Sequence, residues 1–155
     1  MPREVAIACH DLVSRHPVSG GVDDPWQQHG GAGLEDHPEC VSRLHACLAG
    51  VTLRGLWSSL RQLPPRLATD SELSLCHTPH HIAALEAAAA SAAVQGCPLF
   101  LPQGGCFRDD GPLERQLSAK WEPGRETFVS AGSMRAARLA VGGLLATLDA
   151  ALSPR

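Results

Sequence analysis

Residues His37–Leu85 read HPECVSRLHACLAGVTLRGLWSSLRQLPPRLATDSELSLCHTPHHIAAL, a succession of helix, strand and helix signals. Asp36 or His37 supplies a helix cap, and Pro38 takes the first helical position, where a missing N–H leaves nothing unpaired. Leu44, Cys47, Leu48 and Val51 then recur at i, i+3, i+4 and i+7, which predicts an amphipathic helix with Cys47 as core filler. Leu56 to Leu63 alternates loosely and stops at Pro64-Pro65, a strand signal. Thr69-Asp70-Ser71-Glu72 combines caps with an acidic first turn and predicts a short helix to Cys76. Thr78-Pro79 opens another helix, and the Ala87–Ala90 run gives it high intrinsic propensity.

Working outward, Val5 to Cys9 is an apolar run that suits a buried first strand. Leu12 to Asp36 carries Gly, Asp-Asp-Pro and Gln-Gln without a period and reads as a loop, as does Gly96 to Arg125. From Ser130, the positions Met134, Ala137, Val141, Leu144, Leu145, Leu148 and Leu152 form a helical stripe that Ser153-Pro154 stops. Gly142-Gly143 costs that helix stability, so another backbone is expected close by. Alternating strands and helices predict an α/β fold with a parallel sheet. Two visible strands are too few to make a covered parallel sheet. Residues 1–155 therefore read as part of a domain, with 12–36 and 96–125 as loops or insertions.

A chain of 155 residues, 44% hydrophobic and 19% charged, is long enough for a real core. Its 13 basic and 16 acidic residues are interspersed and leave a net charge of −3, which argues against a nucleic-acid surface. No run is long enough to span a bilayer, and the apolar run of the first ten residues is too short for a signal peptide. Six Cys without a secretory signal read as reduced thiols of a nuclear or cytoplasmic protein. There is no Tyr, so this chain alone cannot use a phenol to polarise a carbonyl.

Three motifs stand in one order: HPE-x-x-x-R at His37 to Arg43, R-x-AT-x-x-EL-x-x-x-H at Arg66 to His77, and ETFVSAGSMRAARLAVGG at Glu126 to Gly143. Together they resemble the N-terminal part of the zinc-dependent histone deacetylases, closest to the class II branch. The resemblance implies a partial three-layer α/β/α arginase/deacetylase fold around a mainly parallel sheet. It also implies hydrolysis of acetyl-lysine by a zinc-activated water, with a His pair as general base and acid. Acetylated proteins such as histones are the implied substrates, and corepressor proteins the implied partners. The family carries its catalytic His pair and its zinc ligands in PPGHH, D-x-H and later Asp segments, and these are absent here. The expectation is an N-terminal fragment without the catalytic centre, inactive alone, with uncovered apolar faces. The alternatives are a non-catalytic interaction or regulatory fragment, and a small α/β domain whose His and Cys hold a structural metal.

The same resemblance assigns roles to four residues. His37 and Pro38 begin the loop at the substrate rim, and Arg43 lines the channel through which acetate leaves, where a planar guanidinium suits a carboxylate. Glu126 stands where class II relatives have an Asp near the substrate backbone. No catalytic residue is assigned. For a structural zinc, the chain offers His16, His29, His37 and, if the later loop shifts, Cys106. His77, His80 and His81 give H-x-x-H-H at a helix start, read first as polar first-turn residues and second as metal ligands.

Overall fold

The protein is described from a computed structural model, which covers residues 5–7, 41–108, 111–120 and 127–153. In chain order, the elements are strand β1 (Val5–Ile7), helix α1 (Val41–Leu53), strand β2 (Leu60–Gln62), helices α2 (Asp70–Leu73) and α3 (Pro79–Gln95), strand β3 (Leu99–Phe100), helix α4 (Leu113–Gln116), strand β4 (Phe128–Val129) and helix α5 (Ser133–Leu152). Helix and strand alternate, so the α/β class holds. The described strands make two separate pairs. β1 and β2 are parallel in the register Val5↔Leu60, and β3 and β4 antiparallel in the register Leu99↔Val129. The expected single, mainly parallel sheet is not assembled among the described residues.

Local chemistry places most boundaries. α1 ends where Gly55 turns left-handed at φ 66°, so that Gly55 N–H reaches the Thr52 carbonyl and Leu56 N–H the Val51 carbonyl. A single 3-10 turn over Trp57–Ser59 then narrows the strand expected over 56–63 to three residues. Thr69 caps α2 through a reciprocal box with Glu72, and Thr78 caps α3 ahead of Pro79 at its first position.

α3 is the hub of the packing, touching α2, α5, β3 and β4. Ala88, Ala89 and Ala92 of α3 make one core with Leu99, Leu101 and Val129. A second core joins Ala68, Leu73 and Ile82, and Met134 of α5 packs against both. Alanines on one helix face bring the strands close to its axis, where the larger residues of β3 fill the space. Leu99 and Phe100 are both fully buried, each stabilising the fold by about 1.5–3 kcal/mol. The Phe100 and Phe128 rings meet edge to face at 6.2 Å.

Three expectations change. The segment 96–125, read as a loop, contains β3 and the short α4. The apolar Leu99–Leu101 run between Pro98 and Pro102 is too short to show a period, yet all three residues are buried. Phe100 also exchanges backbone hydrogen bonds with Ser118, which ties the two halves of that segment together. In α5 the buried residues are Ala136, Leu139 and Gly142, while Leu144, Leu148 and Leu152 of the expected stripe face solvent. Cys47 is exposed on α1 and fills no core.

The Gly142 expectation is met in full. A Cβ there would lie 2.1 Å from the Arg66 carbonyl oxygen. α5 and the Arg66–Ala68 segment approach so closely that Ala68 N–H donates to the Arg138 carbonyl at 2.9 Å.

Candidate functional site

The R-x-AT-x-x-EL motif folds into one polar clasp. Arg66 donates to both Glu72 carboxylate oxygens, at 3.0 and 2.8 Å. Glu72 also accepts the Thr69 backbone N–H at 2.8 Å, and Thr69 Oγ1 accepts the Glu72 backbone N–H at 3.3 Å. The Arg66 guanidinium, followed by the Thr69 backbone N–H, holds the Glu72 carboxyl down to about 2. Ala68 and Leu73 of the same motif are buried. The fixed letters from Arg66 to Leu73 thus build the turn itself: Arg66 and Glu72 pair, Thr69 caps the helix, and Ala68 and Leu73 fill the core beneath.

Arg138 of α5 joins this clasp to α3. Its Nη1 donates to the Ala68 carbonyl at 3.0 Å, and its Nη2 donates to Asp70 at the start of α2 and to Glu86 of α3. Its side chain is 16% exposed, whereas the carboxylates it meets are more open. Both carboxylates raise its pKa, Glu86 more than Asp70. The sequence reading missed this residue. No local sequence signal marks it, because its partners Ala68, Asp70 and Glu86 lie 70, 68 and 52 residues away.

The histidine cluster lies at the other end of the motif. The His77 and His81 rings stand 5.3 Å apart with planes 28° from parallel, and Phe107 is 6.0 Å from His81. Burial, and then the charges of His77 and His80, push the His81 pKa down. Thr78 Oγ1 accepts the His81 backbone N–H at 3.2 Å, which fixes the turn that carries both rings.

The expected site residues are not brought together among the described residues. His16, His29, His37, Pro38 and Glu126 lie outside them. Arg43 falls in the first turn of α1, with its side chain likewise outside. Cys106 is exposed on extended backbone after a 3-10 turn at Gln103–Gly105. Among the described residues, no three His, Cys, Asp or Glu side chains converge to hold a metal ion. The described part therefore does not fit a catalytic zinc, and its polar clusters position helices. No helix of the described residues is long and apolar enough to cross a membrane.

The sequence model of the histone deacetylase domain matches residues 37–155, which spans both the clasp and α5. No curated protein matches the chain. Among solved structures, the crystal structure of the HDA15 HD domain superposes with a TM-score of 0.57 at 20% sequence identity, over 90% of this chain. The chain spans 29% of the length of that structure's chain.

Proposed function

Because this chain belongs to the histone deacetylase family, we propose that it forms the N-terminal portion of a zinc-dependent protein lysine deacetylase domain and supplies scaffold, not chemistry. The observation that supports this reading is the mismatch of coverage: 90% of the chain superposes on 29% of the HDA15 HD domain chain. The clasp at Arg66–Glu72 and the Arg138 junction support it, because their side chains are spent on one another and on backbone. In this proposal, residues beyond the described ones complete a mainly parallel sheet and hold the zinc. His37, Pro38, Arg43 and Glu126 shape the substrate rim and the acetate channel. Acetylated proteins such as histones are the substrates, corepressor proteins the partners, and nucleus or cytoplasm the compartment. Free thiols at Cys47, Cys76, Cys97 and Cys106 suit a reducing compartment.

The test is deacetylation of an acetyl-lysine peptide in the presence of zinc. The 155-residue chain alone is expected to give no turnover, and a polypeptide extended through the rest of the domain to give turnover. Zinc-dependent turnover by the short chain would overturn the scaffold reading. A second reading, a non-catalytic interaction fragment, draws on the exposed Leu144, Leu148 and Leu152. It gains if the extended polypeptide also fails while the short chain captures a full-length deacetylase. Family membership removes the reading as an unrelated small metal-binding domain.

A further inference from the structure

We propose that His77, His80 and His81 make the start of α3 an acid-sensitive latch, which closes on Phe107 while the imidazoles are neutral and opens as they take up protons. The device is independent of the deacetylase reading. Its place in the fold is the first support. A helix N-terminus gathers unpaired N–H groups and favours negative charge. α3 meets this need with the neutral Thr78 hydroxyl, and its first turn holds no acidic residue. Three imidazoles within five residues stand there instead. Each proton they take up puts positive charge at the positive end of a 17-residue helix.

Ring geometry is the second support. The His77 and His81 rings stack at 5.3 Å, 28° from parallel, which suits two neutral rings and sets two charged ones against each other. Phe107 stands 6.0 Å from the half-buried His81 ring on another side. Around His81 are His77 from the α2–α3 turn, His80 from its own helix, and Phe107 with Cys106 and Arg108 beside it in sequence. None of these is a carboxylate. Burial, followed by the charges of His77 and His80, holds the His81 pKa below 6.5. The latch is therefore fully closed above about 6.5, the value for a released His, and opens as pH falls below it. Phe107 also packs against the core of Ala88, Ala92 and Leu99, so the aromatic side is anchored and the helix start is the part that gives. The Thr78 cap on the His81 N–H, at 3.2 Å, is exposed, and water can replace it.

The experiment is an NMR titration of the full chain between about pH 8 and 5, the range in which histidine changes charge. It follows the histidine ring signals, the His81–Phe107 ring contact and amide protection along α3. The contact is expected to fade as the His81 ring charges. The His81 and Ile82 amides, which bond to Thr78, should lose protection by up to about tenfold per pH unit, the limit for one proton taken up. Protection from Ala88 to Ala92 should hold. His77→Gln removes the stacked ring and its charge, and should raise the His81 midpoint. His77 is exposed and precedes the helix, so this variant is expected to keep the parent circular dichroism. His81→Gln cannot titrate, and protection at its helix start should stay level across the range. A His81–Phe107 contact that survives charging of the His81 ring overturns the proposal. So does a His81 midpoint that stays put in His77→Gln, or protection that falls as steeply in His81→Gln as in the parent.

Discussion

Gly142→Ala tests the tightest backbone approach at any described glycine. A Cβ at this position meets the Arg66 carbonyl oxygen at 2.1 Å, its carbon at 2.9 Å and the Ala68 nitrogen at 3.0 Å. Carbon and oxygen settle at about 3.3 Å or more, so the segment must retreat by about 1.2 Å. All three obstacles are backbone atoms, and no rotamer change relieves them. Retreat strains the Ala68 N–H bond to the Arg138 carbonyl and the Arg138 bond to the Ala68 carbonyl, at 2.9 and 3.0 Å. Overpacking costs about 1–3 kcal/mol, and weakening the two hydrogen bonds adds about 1–3 kcal/mol. Alanine returns about 1 kcal/mol through its better helix propensity. The net expectation is a loss of about 3 kcal/mol, a large share of any small domain's stability. Urea unfolding followed by circular dichroism measures it. Gly50→Ala in α1 is the control, since its Cβ meets nothing within 4 Å and should stabilise the chain by about 0.5–1 kcal/mol. If Gly142→Ala unfolds at or above the parent midpoint, the packing argument is wrong.

Glu72 gives the chain an acid limit. Its carboxyl titrates at about 2, against about 4.3 when unfolded, so its stabilisation is complete above about 4.3 and fades as pH falls toward 2. The carboxyl 13C titration reads this directly, and a midpoint near 4 would refute the clasp. Arg138→Ala should cost about 1–2 kcal/mol, a modest value because water screens Asp70 and Glu86. Arg138→Lys should recover only part of it, since one ammonium cannot span the Ala68 carbonyl and both carboxylates. Equal unfolding midpoints for the parent and Arg138→Ala would show the junction to be idle. Leu144→Ser with Leu148→Ser should lower binding of a hydrophobic dye and any self-association while leaving helicity unchanged. A drop in thermal stability of several degrees instead would place those leucines in a core.

Local rules were legible in the sequence wherever the chain satisfies itself. The Thr69–Glu72 box, the Thr78-Pro79 start and the stop after Leu152 follow from capping chemistry, which needs no distant partner. Gly142 was legible because a glycine costs a helix stability unless a neighbour needs the space. Burial was harder to read. α5 turns Ala136, Leu139 and Gly142 inward, and at Gly142 the Arg66–Ala68 backbone lies too close for any larger side chain. Periodicity weighs bulk, so it favoured the face that is open here. β3 escaped notice because a buried three-residue run between prolines has no alternation to detect. The family motif around Arg66 was visible, but its work as a clasp required coordinates. Of the rim, channel and structural-zinc candidates, the side chain of Cys106 alone falls within the described part, and it is exposed.

The asymmetry of α5 has a dynamic consequence. Ala136, Arg138, Leu139 and Gly142 anchor its first half, while Leu144 and Leu152 beyond them are 60% and 80% exposed. Helical hydrogen bonds are local, so the last turns can fray and reform while the anchored half stays docked. Amide hydrogen exchange should thus be graded along this one helix, slow around Leu139 and Gly142 and progressively faster past Leu148. Any surface that settles on the open half would extend the slow block toward the C-terminus, turn by turn, and report its own footprint in the exchange rates.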